Sequence, residues 1–268
     1  IKDGDILPLY IIEKELWNQK AYSDRQWQFC KESLIELRRE LSNIGQPLII
    51  KVGDAQNVFE DISNDFIIKG VYSHQETGDY FTFQRDQKIS KWLKDKNIKW
   101  HQFLQFGVFR GHINRNKWSA LWKKQLDRDI FERPLKINPL EIDIGEIPDD
   151  EIFNFDKDSC KGRLKGGRKH GLLRLNYFFD HKISSYKNDI SNPERSFESC
   201  SRLSPYISWG CLSLKEIISI SKRMKGLDIK MFRSRLSWHC HFIQKLESEP
   251  ELEFKEYHPY YRDIRNKN

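Results

Sequence analysis

The stretch ILPLYII, residues 6–12, decides the fold. It is a short, continuous apolar run, the pattern of a strand covered on both faces rather than one. PLIIKVG (47–53), FIIKGVY (66–72) and IKWHQF (98–103) repeat it. Between the runs lie segments of helical spacing. Trp27, Cys30, Leu34, Leu37 and Leu41 mark a helix over 24–42, with Ser23 and Gln26 spaced as a capping box. Gly45 and Pro47 end that helix. A short helix is expected over 55–62 after Asp54, and another over 82–96. Strand and helix in alternation imply a parallel sheet with right-handed crossovers. The chain begins at Ile1 and enters the first run almost at once, as a chain starting after a missing first element would.

The pattern changes after about residue 131. Pro134, Pro139 and Pro148, an acidic patch over 141–151, and the basic CKGRLKGGRKHG (160–171) read as an interdomain connector. Beyond it only helices are expected, from GLLRLNYFF (171–179), SPYISWGCLS (204–213), SLKEIISISKRM (213–224) and the stretch around 234–247. The expected organisation is an α/β domain over 1–131, a linker over 132–170, and an all-α portion over 171–268.

The chain has 268 residues with 17 Phe, 8 Trp and 10 Tyr, enough aromatic volume to fill cores despite a hydrophobic fraction of 38%. Its net charge of +7 permits a polyanionic partner and equally suits a basic enzyme surface. Five scattered cysteines with no CxxC suit unpaired thiols in a reducing cytoplasm. No apolar stretch reaches the roughly 18 residues of a membrane span, and no signal peptide is visible.

Three stretches could carry chemistry. In SRLSWHCHFIQKL (234–246) two histidines flank Cys240. On a helix His239 and His241 lie about 200° apart, so a shared metal is disfavoured. Leu236, Cys240, Ile243 and Leu246, with Trp238 and Phe242 beside them, predict a helix with two adjacent buried stripes. In CSRLSPYISWG (200–210), Ser204 before Pro205 marks a helix start, Ser204 being the N-cap. The amides of Tyr206 and Ile207 and the hydroxyls of Ser201 and Ser204 could receive a phosphate, or this is an ordinary capped helix. Ser213 and Glu216 form a second, structural capping box. KGGRKHG (165–171) could clamp phosphates or be solvated linker. No P-loop, GxGxxG, GxSxG or HExxH motif occurs.

Together VYSHQETGDYFTFQRD (71–86), YKNDISNP (186–193), SRLSPYISWGCLS (201–213) and SRLSWHCHFIQKLE (234–247) resemble the DNA photolyase/cryptochrome family. The resemblance implies a photolyase-type α/β antenna domain followed by the opening part of a helical flavin domain. It implies FAD, an antenna chromophore of unidentified type, and light-driven repair of pyrimidine dimers. Damaged DNA would be the partner; the oligomeric state is left open, with a monomer favoured. Tyr186, Cys200, Ser201, Leu203 and Ser204 would hold the flavin, with Cys200 standing where the family often has a hydroxyl residue. Arg235, Trp238 and His239 would face the DNA lesion, Trp238 as a stacking surface and His239 in place of the arginine common in photolyases. A flavin photoreceptor without repair activity and a cofactor-free nucleic-acid-binding module are the competing functions.

Overall fold

The computed structural model describes residues 4–111, 114–158, 160–256 and 258–261. Its order is β1 (Leu9–Ile12), α1 (Lys14–Trp17), α2 (Asp24–Ser42), β2 (Ile49–Val52), α3 (Ala55–Asp65), β3 (Gly70–His74), α4 (Tyr80–Asp95) and β4 (Lys99–Phe103). There follow α5 (Arg115–Leu126), α6 (Arg168–Tyr177), α7 (Tyr186–Asp189), α8 (Ser196–Ser199), α9 (Ser204–Ser208), α10 (Leu214–Lys222) and α11 (Leu227–Ser248). This is the expected α/β region followed by a helical one. No helix among the described residues is long and apolar enough to cross a membrane.

The strands pair in parallel, β1 with β2 and β3 with β4, in registers Leu9↔Ile49 and Gly70↔Lys99. No pairing joins the two ribbons among the described residues, so the single sheet expected from alternation is divided. They nevertheless share a helical layer. Ile11 of β1, Val71 of β3 and Trp100 of β4 pack on Ala55, Ile89, Trp92 and Leu93 of α3 and α4. The first strand is shorter than its apolar run. Pro8 has no N–H to give a ladder, and its carbonyl accepts from Ile49 at 2.8 Å.

Caps divide by side-chain type. Asp54 accepts from the amides of Gln56 and Asn57, and Asp79 from that of Thr82. The two serine boxes do not form. Ser23 donates instead to the Gln26 side chain at 3.0 Å, and Glu216 is drawn away from Ser213 to Arg168 at 2.6 Å. A carboxylate is the stronger acceptor for helix amides, and a bidentate arginine outcompetes a weak reciprocal cap.

The segment after α5 is a strap, not a solvated tether. Ile50 donates to the Ile144 carbonyl at 2.8 Å, which also accepts from Arg38. Phe153 is buried against Trp17 and Trp27. Farther along, Glu32 of α2 takes both prongs of Arg163, at 2.7 and 3.0 Å, and the Gly166 amide at 2.6 Å. Gly166 is required there, since a Cβ would lie 2.0 Å from the Phe29 carbonyl oxygen.

The largest core belongs to the helical region. Leu175, Phe178, Leu203, Ile217, Phe232 and Cys240 are almost solvent-free within it. Phe29 of α2 and Trp118 and Leu126 of α5 join the same core. Trp209 stacks on Trp17 at 5.3 Å and 2° between planes. The two regions are therefore packed on one another through apolar side chains.

Candidate functional site

The residues expected to hold a flavin converge on the turn between α8 and α9. Leu203 is buried, Cys200 and Ser201 are half-buried, and Ser204 is exposed. Arg202 has φ 52, a left-handed conformation costing a non-glycine residue about 1 kcal/mol. It folds the segment so that Leu203 enters the core while both serines stay near the surface. Neither serine hydroxyl has a hydrogen-bond partner among the described residues. The Cys200 thiol donates to the Phe197 carbonyl at 3.6 Å.

The helix start differs from the expectation. The N-cap is Leu203, with Ser204 and Pro205 already inside α9, and no side chain caps it. The Ile207 amide donates to the Leu203 carbonyl at 3.1 Å and is not free for a ligand. The five-residue α9 thus offers the two hydroxyls, not the row of free amides that SPYI suggested.

Two anchors fix this turn. The Tyr206 hydroxyl donates to the Lys165 carbonyl at 2.8 Å, and its ring packs edge-on against Phe29 at 5.1 Å. Gly171 on α6 admits the approach, since a Cβ there would lie 3.0 Å from both Tyr206 and Leu212. KGGRKHG accordingly joins the strap to α6 through its glycines, with Lys165, Arg168 and Lys169 left exposed. Gly166 and Gly167 are buried, and Arg168 binds Glu216 and the Cys211 carbonyl.

Tyr186 stands behind the turn, packed on Phe178 and Phe232 at 5.5 and 5.7 Å. Burial raises its phenol to about 12, opposed by the nearby charge of Arg235, so it stays protonated at neutral pH. Arg235 lies on α11 with its guanidinium 4.3 Å from the Trp238 ring centre. Trp238 is 49% and Phe242 62% exposed, and the two rings meet edge-on at 6.2 Å. The expected second buried stripe of α11 is therefore an exposed aromatic face. Only the row led by Leu236 and Cys240 is buried deeply. A chain read without its tertiary neighbours cannot distinguish an aromatic row that packs from one that waits for a ligand.

The histidines part company as their spacing demands. His239 turns onto Phe106 at 5.0 Å and His241 onto Trp118 at 5.5 Å. Burial depresses the His239 imidazole below its usual pKa. Trp238 and Arg235 thus share the outer face, while His239 lies inward of it.

A second polar cluster lies in the α/β region and was not legible in the sequence beyond Arg85-Asp86. Glu13, just after β1, accepts from Arg85 at 3.1 Å and from the Ala55 amide at 3.2 Å. Arg85 also binds Glu76 at 3.0 Å and Asp86 at 2.9 Å, and Arg110 closes the ring on Asp86 at 3.0 Å. Crevices at the C-terminal ends of parallel strands are the usual ligand positions of α/β folds. Glu13 and Glu76 stand just after β1 and β3, so this network of paired charges lies at that end of the strands. Glu13 and Arg110 had no local signal, being 72 and 24 positions from their partners.

The comparisons with known proteins agree with this architecture. The family model described as DNA photolyase matches residues 2–113. Cryptochrome DASH of Gloeobacter violaceus is 26% identical over 272 residues, covering 90% of this chain and 53% of that protein. A deoxyribodipyrimidine photo-lyase of Streptomyces griseus is 19% identical, covering 97% of this chain and 59% of that one. A class III photolyase from Agrobacterium tumefaciens superposes with a TM-score of 0.76 at 18% identity, covering 98% of this chain and 57% of that one. A Synechocystis cryptochrome gives 0.77 at 20%, covering 94% and 57%. The chain spans about half the length of the curated relatives it matches. The chain is thus similar in sequence over residues 2–113, and in fold over nearly its whole length, to DNA photolyases and cryptochromes.

Proposed function

We propose that this chain supplies the α/β antenna domain and the first part of the flavin domain of a DNA photolyase. Residues 1–131, 132–170 and 171–268 would be the antenna domain, the strap and the flavin-binding portion. FAD would sit against the Cys200–Ser204 turn. The observation that carries this is the turn itself: two serine hydroxyls without partners among the described residues, near the buried Tyr186. Hydroxyls able to donate, near a guanidinium, match the diphosphate of a dinucleotide. Ser201 and Ser204 would bind it and Cys200 and Leu203 would shape the turn, with Tyr186 bracing it from the core. When bound, the flavin would absorb blue light and supply the electron used in dimer repair. Arg235 and Trp238, on the exposed face of α11, would meet DNA, with Trp238 stacking on an extruded base. An archaeal photolyase from Sulfolobus tokodaii, similar in fold at 21% identity, is described with two FAD molecules, with the implication of a novel light-harvesting cofactor. The antenna chromophore of the present protein is left open by this reading.

One observation favours a second reading, a cryptochrome-type photoreceptor that repairs nothing. His239 is turned inward and kept neutral by burial, so this position offers DNA phosphate no cation. Flavin absorbance in the purified protein, followed by cyclobutane-dimer repair under near-UV light, separates the two. Bound flavin with no repair selects the photoreceptor. Absence of any flavin-dependent absorbance rejects both.

A further inference from the structure

Beside the Cys200–Ser204 turn, and bordered by its Cys200 and Arg202, lies a pocket of about 200 Å³ whose other lining residues play no part in the reading above. Arg174, Lys182 and Arg202 supply three cations to its lining, and Glu198 one carboxylate. Tyr177 and Phe197 form aromatic walls. The surplus of positive charge is real because these cations are poorly engaged. Arg174 is half-buried and has no hydrogen bond or ion pair among the described residues. Among the described residues Arg202 donates to the Gly162 carbonyl alone, at 3.2 Å, and otherwise lies over the Phe197 ring at 4.7 Å. Lys182 sits 5.9 Å from the Tyr177 ring centre and 3.8 Å from Glu198, whose side chain is 76% exposed. By contrast Arg85, Arg163 and Arg168 are each bound to carboxylates at hydrogen-bond distance.

Three like charges in one concavity repel, and partial burial weakens the screening that would otherwise make this cheap. The arrangement is relieved by an anion. Two guanidinium forks with an ammonium between aromatic walls suit a tetrahedral oxyanion better than a planar carboxylate, because donors arrive from several directions. We propose that this pocket is a phosphate site, taking a phosphate or diphosphate group on Arg174, Arg202 and Lys182. It stands whether or not the turn holds a flavin. The phosphate could come from a dinucleotide seated on the neighbouring turn or from free phosphate or pyrophosphate.

Calorimetric titration of the 268-residue chain with inorganic pyrophosphate tests it. Saturable binding is expected, weakened about tenfold by Arg174→Ala and by Arg202→Ala, with Arg174→Lys intermediate. Glu198→Gln removes the one opposing charge and should tighten binding severalfold, a gain that no misfolded variant would imitate. Repeating the titration in saturating FAD assigns the source. Displacement makes the pocket a seat for the dinucleotide's own diphosphate, and undiminished binding makes it an independent phosphate site. Pyrophosphate binding in a protein that takes up no FAD would sink the flavin reading alone. Absence of saturable binding, or affinity indifferent to Arg174→Ala, Arg202→Ala and Glu198→Gln, overturns the phosphate site.

Discussion

The ionic cluster of the α/β region and the 200–204 turn of the helical region are both polar and both partly sheltered, yet they are built in opposite ways. Although the buried Nε of Arg110 has no hydrogen-bond partner among the described residues, opposite charges are paired around Arg85. Glu13, Glu76 and Asp86 surround it, and Arg110 takes the remaining oxygen of Asp86. Around the turn, two hydroxyls and Arg174 have no partners among the described residues. A paired network stabilises what is already there. Hydroxyls and a guanidinium that only water solvates cost the fold little and stay open to a ligand. On the proposed reading the first cluster is structural and the second receives a ligand, and this contrast yields measurements that rank in size.

The largest effect should come from Arg85→Ala. Glu13 is 5% exposed, and removing its partner leaves a buried carboxylate with only the Ala55 amide. Breaking such a pair costs roughly 3–5 kcal/mol. Arg174→Ala should leave thermal stability unchanged or slightly raised, because it removes repulsion rather than a bond. Chemical denaturation of both variants is the measurement. Equal losses would mean that the two clusters do not differ as described.

The strap comes next. Gly166→Ala drives a Cβ into the Phe29 carbonyl, and a backbone atom cannot swing aside as a flexible side chain can. A loss of about 1–3 kcal/mol is expected. In the wild type, trypsin should cut after exposed Lys161 and spare Arg163, whose guanidinium is held by Glu32. In Gly166→Ala, cleavage should spread to Lys165 and Arg168. Peptide mapping of a brief digest reads this. Unchanged cleavage in the variant would show that Gly166 does not clamp the strap.

How much of this was legible in the sequence follows from the range of the interactions. Strands and long helices rest on neighbours within a few residues, so apolar runs and helical spacing located them. Asp54 was placed before its helix correctly for the same reason. The errors were of two kinds. Ser23 and Ser213 fit a local rule, but stronger partners took their would-be bonding groups. The outer row of α11 satisfied a periodicity that says where a side chain points but not what meets it. Trp238 and Phe242 consequently read as core and proved to be surface. The helix α5 left too little apolar pattern to be seen, although Trp118 and Leu126 reach the main core. For the site, the motif residues Cys200–Ser204 were legible as a resemblance. The cations of the neighbouring pocket were not, since Arg174, Lys182 and Arg202 come together only when α6 folds back on the turn.

A smaller effect links the strap to pH. Burial alone would raise the Glu32 carboxyl, but the Arg163 fork and the Gly166 amide overcome it and hold it below the ordinary value. A carboxyl depressed in the folded state contributes stability that is complete above its unfolded pKa, about 4.3. That contribution is lost as pH falls through the lower folded value. The strap should therefore loosen in acid, seen as faster amide exchange at Gly166 and Gly167 below about pH 4. Glu32→Gln should flatten that dependence while losing stability at neutral pH. Exchange at these amides that ignores pH in the wild type would remove Glu32 as the clamp.

The smallest effect on folding, and the most telling for function, belongs to the turn. Ser201→Ala and Ser204→Ala delete hydroxyls that bond to nothing among the described residues. Surface substitutions of this kind change stability by no more than about 0.5 kcal/mol. If the hydroxyls were part of the fold, each deletion would instead cost about 1 kcal/mol. Toward a phosphate ligand the expectation reverses. Each donates a hydrogen bond to a charged acceptor, contributing about 1.5–3 kcal/mol, so losing one should weaken FAD by roughly tenfold or more. The double variant, folded and equally stable but weakened in flavin fluorescence titration, would separate the turn from the Arg85 cluster in one experiment. Arg85→Ala unfolds what it touches, whereas Ser204→Ala should leave the protein intact and cost it only its ligand. A double variant that loses stability while keeping flavin affinity would reverse the comparison and move the binding surface elsewhere on the helical region.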